Sequence, residues 1–222
     1  MKTWTTQDSN NCYQIDRWGA GYFNINEKGE LIVQPEGVNS EFAISIKDVL
    51  EEALEEGVQL PMVIRFHDIL RTRVRNINRV FKKTIARLGY KGVYRGVYPI
   101  KVNQMREVVE EILDAGEPYQ FGLEAGSKAE LLSVLAYNTH PQSLTILNGY
   151  KDDDYIRLAM LGRRLQRSVI VVIEQFSELK RLVTIAKEMR VSPLIGFRAK
   201  MTSKSIGKWA KSSGEKAKFG LN

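Results

Sequence analysis

Lys101 stands at the end of an apolar run that includes Gly92-Val93-Tyr94-Arg95-Gly96-Val97-Tyr98, just before a helical pattern. A lysine at such a strand end can turn its amine into a pocket. Desolvation there lowers its pKa and frees the neutral nitrogen that adds to an aldehyde. That is the chemistry of a Schiff-base lysine. Further polar residues recur at matching places. Apolar runs end near Lys101, Glu124, Asn148, Glu174 and Arg198, in steps of 23, 24, 26 and 24 residues, with Asn103 just past the first. Two carboxylates near the lysine could set its field and orient bound groups. The Arg198 guanidinium is a fixed donor fork suited to a phenolic or phosphate oxygen. Singly, each has a plainer reading: a solvated lysine, or a carboxylate capping the helix that follows it. Together they form a rim, and polar side chains converging on a closed rim must find partners there.

The elements that would carry this rim alternate. After each of the first four strand ends comes a helical pattern of ten or more residues, which predicts βα units and a parallel sheet. A near-constant step suits a (β/α)8 barrel, where chemistry gathers at the carboxyl ends of the strands. Helix starts and stops are legible locally. Asn103 and Gly116 bracket the first. Ser127 with Glu130 reads as a capping box for the second. Asp152, Asp153 and Asp154 open the third and Gly162 closes it, and Ser177-Glu178 opens the fourth. Before this region, residues 18–35 read as short strands with a hairpin at Glu27-Lys28-Gly29-Glu30. Pro61-Met62-Val63-Ile64-Arg65-Phe66 reads as a strand, and residues 67–88 as a long basic amphipathic helix. The expected organisation is an N-terminal β-containing segment, 1–60, followed by the barrel region, 61–222.

Composition narrows the class. A chain of 222 residues with 43% hydrophobic and 27% charged residues can bury a sizeable core. No apolar run is long enough to span a bilayer, and the N-terminus lacks the apolar core of a signal peptide. Cys12 is the only cysteine, so no internal disulfide or cysteine metal cluster is expected. His67 and His140 are isolated and suggest no metal site. No G-x-G-x-x-G, P-loop or G-x-S-x-G is present. The net charge of +7 is concentrated, with seven basic residues and one acid between Arg198 and Asn222. That segment could be a nucleic-acid arm. Its Gly, Ser and Lys alternate with few aromatics to stack on bases, which favours a solvated loop instead. The stretch Thr202–Lys218 is expected to be a mobile loop at the rim.

Tyr98-Pro99-Ile100-Lys101-Val102-Asn103-Gln104 resembles the cofactor-lysine segment of the pyridoxal-phosphate (PLP) decarboxylases built on the alanine-racemase barrel. Phe121-Gly122-Leu123-Glu124-Ala125-Gly126-Ser127-Lys128-Ala129-Glu130-Leu131 looks like another block of the biosynthetic arginine decarboxylases. So do Asn148-Gly149-Tyr150-Lys151 with Tyr155-Ile156-Arg157-Leu158-Ala159, and Gly214-Glu215-Lys216-Ala217-Lys218-Phe219-Gly220-Leu221. Ornithine and diaminopimelate decarboxylases share a looser version of the first two segments.

The resemblance implies an incomplete PLP-binding (β/α)8 barrel of the alanine-racemase type, preceded by the N-terminal β-containing segment. It implies conversion of L-arginine to agmatine and CO2, at the head of putrescine and spermidine synthesis. Lys101 would hold PLP as a Schiff base, with Glu124 and Arg198 also at the cofactor. Magnesium is associated with the family. A cytoplasmic homodimer or higher homo-oligomer is implied, with neither nucleic acid nor membrane as partner. Family chains are far longer. Three barrel strands, the C-terminal β-domain, the glycine-rich phosphate loop, the ring-stacking histidine and the partner-subunit residues have no counterpart here. The chain is therefore expected to be an N-terminal portion, inactive alone. Competing readings are another PLP amino-acid decarboxylase or racemase, and a non-catalytic PLP-barrel protein.

Overall fold

A computed structural model describes residues 3–37, 40–200 and 220–221. The chain divides after Asn76 into two compact units.

The first unit opens with α1 (Thr6–Tyr13) and α2 (Ile15–Trp18). Thr5 and Asp8 form a reciprocal capping box at the start of α1. Three short strands follow: β1 (Phe23–Ile25), β2 (Leu31–Val33) and β3 (Ile44–Ser45). They pair antiparallel in that order, as the hairpin signal required. Asn26 closes the hairpin: its side-chain oxygen accepts from the N–H groups of Lys28 at 3.0 Å and Glu30 at 2.9 Å. Ile15, Tyr22, Val33 and Val74 are buried, and Phe23 packs against Trp18 and Phe66. Ser45 caps α3 (Ile46–Glu55). The strand expected at 61–66 is absent. Met62, Ile64 and Phe66 alternate half-buried with exposed neighbours, but the segment joins no ladder among the described residues. Alternation without a partner for the backbone groups does not make a strand. The basic helix is present as α4 (His67–Leu88), and the unit division falls within it.

The second unit repeats strand and helix. In chain order come β4 (Val97–Pro99), a 3-10 turn (Ile100–Val102), α5 (Arg106–Gly116), β5 (Gly122–Ala125) and α6 (Lys128–Tyr137). Next are β6 (Leu144–Leu147), α7 (Asp153–Arg164), β7 (Ser168–Ile173), α8 (Phe176–Met189) and β8 (Leu194–Phe197). The five strands pair parallel in sequential order. Side chains alternate across the sheet with period two. Leu123, Ala125, Leu147, Val169, Val171 and Ile173 face the helices and join Leu131, Val134, Tyr155, Ile156, Met160 and Leu182 in the core. Glu124, Ile146, Ile170 and Val172 fall between them and belong to the opposite, less covered face.

Several local expectations are adjusted. The apolar run 92–98 yields a strand only from Val97, because its neighbour begins at Gly122 and offers no earlier partner. Tyr94 stacks on Phe81 instead, with ring centroids 3.8 Å apart. Ser127 accepts from the Glu130 N–H at 3.3 Å, but the Glu130 carboxylate returns to the Gly126 N–H at 2.6 Å, so the box is one residue wider than expected. Gly162 lies inside α7, where a side chain would strike Leu135 and Val169, and the helix runs on to Arg164.

Candidate active site

The less covered face of the sheet ends in a cavity of about 670 Å³. Its wall includes Lys101, Glu124, Asn148, Glu174 and Arg198, one residue from each successive strand end. Lys101 sits in the 3-10 turn after β4, and Glu124 is within β5. Asn148, Glu174 and Arg198 directly follow β6, β7 and β8. The Asn148 N–H donates to Ala125 O at 2.9 Å, and the Arg198 N–H to Ile173 O at 3.1 Å, so the ladder itself fixes these backbone positions. Asn103 does not join the cavity wall. Its side chain accepts from the Met105 N–H at 3.0 Å, making the turn into α5.

The wall also holds residues not singled out as site residues from the sequence: Gly126, Glu130, Gly149, Val172 and Phe197. Glu130 was legible only as a capping partner. Its place in the first turn of a helix that follows a rim strand is the signal that could have found it.

Charge in the wall is mixed, with Lys101 and Arg198 against Glu124, Glu130 and Glu174. Glu174 is buried. Its Oε1 accepts from the Gly149 N–H at 3.0 Å and lies 3.5 Å from Arg198 Nη1. Its Oε2 has no hydrogen-bond partner among the described residues. Lys101 is exposed, so the desolvation expected for its amine is not supplied by the described residues. The buried lysine is Lys151 instead, which the sequence reading gave no role. Burial pushes its pKa down, and Glu178 and Glu174 oppose that shift. Tyr155, also buried, is pushed far up from 10.0 by desolvation and by surrounding carboxylates.

Among the described residues, no group of three or more His, Cys, Asp or Glu is placed to hold a metal ion, and no helix is long and apolar enough to cross a membrane. The basic segment 201–219, including the whole of the expected rim loop Thr202–Lys218, lies outside the described residues.

The family described as pyridoxal-dependent decarboxylase, pyridoxal binding domain, matches residues 72–222. The chain belongs to that family. A biosynthetic arginine decarboxylase of Gloeobacter violaceus is 48% identical over 223 residues, covering 100% of this chain and 34% of the relative. One from Prochlorococcus marinus is 46% identical over 221 residues, again covering 100% and 34%. The chain thus spans about a third of the length of the curated relatives it matches. Among solved structures, the biosynthetic arginine decarboxylase SpeA from Campylobacter jejuni superposes with a TM-score of 0.81 at 33% identity, over 95% of this chain and 33% of that one. A diaminopimelate decarboxylase from Helicobacter pylori gives a TM-score of 0.55 at 20% identity, over 77% and 39%, a likeness of fold alone. The five parallel strands and their helices are therefore part of an alanine-racemase-type barrel.

The residues present fit the aldehyde end of pyridoxal phosphate. The cavity offers a lysine amine, a guanidinium and three carboxylates. The unpartnered Glu174 Oε2 is a buried acceptor awaiting a donor.

Proposed function

We propose that this chain is part of a PLP-dependent enzyme that converts L-arginine to agmatine and CO2, the first step toward putrescine and spermidine. The observation that carries the proposal is the cavity joining Lys101 to Glu124, Glu174 and Arg198, in a chain that matches arginine decarboxylases along its length. Lys101 would hold the cofactor through its Nζ. When bound, pyridoxal phosphate supplies a sink for the electron pair left when CO2 departs.

This chain's residues supply orientation and field. Glu174, fixed by the Gly149 N–H, holds the Arg198 guanidinium at the wall as a donor for an anionic oxygen. Glu124 brings a second carboxylate to the same face, opposite Lys101 in charge. Tyr155 stays protonated and donates to Ala125 O, which steadies the end of the strand that carries Glu124.

The homo-oligomer and the cytoplasmic location belong to the same proposal, and magnesium enters it through the resemblance alone. The full-length protein should release agmatine and CO2 from L-arginine in preference to ornithine or diaminopimelate. Preference for either of the others would reassign the substrate. Bound cofactor without turnover of any would favour a non-catalytic barrel. Dialysis against a chelator, followed by turnover with and without magnesium, tests the metal.

A further inference from the structure

Behind the cavity wall lies a closed ring of polar contacts. Lys151 has a side chain only 1% exposed, and it is not part of the wall. Its Nζ donates to Gly149 O at 2.6 Å and lies 3.5 Å from Glu178 Oε2. The Lys151 N–H donates to Glu178 Oε1 at 3.1 Å. Glu178 Oε2 accepts from the Glu174 N–H at 2.9 Å. The ring closes where the Gly149 N–H donates to Glu174 Oε1 at 3.0 Å. That same oxygen faces Arg198.

Stability alone does not account for this lysine. Taking an ammonium out of water is costly, and an apolar side chain of similar volume often serves a core as well or better. The geometry shows what the charge holds. Gly149 has φ +76°, and a Cβ there would come within 2.5 Å of Gly126 O. The turn is tight, and its peptide groups have few ways to face. With the Gly149 carbonyl drawn to the ammonium, the N–H of the same residue is left facing Glu174.

We propose that Lys151 is a positioning residue of this site: it clamps the turn 148–151 so that the Gly149 N–H holds Glu174, and through Glu174 it sets Arg198 at the cavity wall. The kinetic consequence rests on the proposed function, whereas the geometric part rests on the ring of contacts alone.

Two measurements on the full-length protein test it. The first is amide exchange in Lys151→Met and Lys151→Gln. Exchange at Gly149 should rise by about tenfold or more in Lys151→Met, with the amides of β6 and β7 still protected. Lys151→Gln, which keeps a donor for Gly149 O, should restore part of that protection. The second is a double-mutant cycle on arginine kcat/KM with Glu174→Gln. Each single change should lower kcat/KM about tenfold, and the pair should be no more than about twofold worse than the more damaging single.

Unchanged Gly149 exchange in Lys151→Met overturns the inference. So do losses that multiply across the cycle. Loss of the fold in both Lys151 variants also overturns it, by making the residue one of stability only. If the unsubstituted protein turns over no arginine, the proposed function fails while Gly149 exchange still decides the clamp.

Discussion

The Tyr155 hydroxyl donates to the carbonyl oxygen of Ala125 at 3.1 Å, tying the first turn of α7 to the end of β5 from within the core. The same carbonyl also accepts from the Asn148 N–H at 2.9 Å. Removing the hydroxyl therefore leaves Ala125 O with a donor, and the hydroxyl's other contact, with Asn148 O at 3.5 Å, is long and weak. Tyr155→Phe should cost about 1 kcal/mol, the net worth of one neutral hydrogen bond. Urea unfolding measures it. A loss above about 3 kcal/mol would mean that the hydroxyl does more than this bond.

Lys151 gives the stability of the protein a pH dependence of definite sign. Its pKa is lowered from 10.5 by burial, so the unfolded chain binds the proton more tightly than the folded one. Between the depressed folded pKa and 10.5 the unfolded state carries more protons, and the stability contributed by this group rises with pH. Lys151→Met removes the titration and leaves the other lysines and tyrosines in place. The stability of the unsubstituted protein relative to this variant should climb across that window. A flat or falling difference would show that Glu178 fully offsets the burial.

Much of the site was legible because strand ends in a repeating unit fall at a regular step, and a parallel ladder brings that step to one edge. Glu124, Asn148, Glu174 and Arg198 follow from spacing alone. Asn103 does not belong with them, because β4 ends at Pro99 and the 3-10 turn uses up the next three residues. Lys151 was invisible for another reason. A lysine after a strand is ordinarily solvated, and only the assembled turn, with Glu178 of α8 beside it, makes it a buried cation. The failed strand at 61–66 shows the same limit. Its alternation is in the sequence, but the absence of a partner is a property of the assembled unit.

Lys101 carries the most direct test of the cofactor assignment. Borohydride treatment of the full-length protein with pyridoxal phosphate should fix the label on Lys101, read by peptide mass spectrometry. Lys101→Ala should abolish it. Lys101→Arg should abolish it too, since a guanidinium keeps its proton and cannot bond to the aldehyde. Lys151, enclosed by its own ring of contacts, should take none. Label found there or on Lys200 would move the site.

Gly122 is held by close approach. A Cβ at this position would lie 1.9 Å from Leu144 O, a backbone atom of the neighbouring strand. Neither strand can yield without breaking the β5–β6 ladder. Gly122→Ala should destabilise the protein by about 3 kcal/mol or more, beyond the usual cost of an added methyl in a core. Retention of near-normal stability would mean that β5 can shift its register.

Sequential strand order has a kinetic consequence. Ladder partners such as Val97 and Gly122, Leu144 and Ser168, or Ile170 and Leu194 are about two dozen residues apart along the chain. Each strand can dock on its predecessor soon after leaving the ribosome, with only a short loop to close. The rim is then assembled in the order of synthesis, Lys101 first and Arg198 last. Until β8 arrives, Glu174 waits beside the cavity with the Gly149 amide as partner and without the guanidinium it later faces.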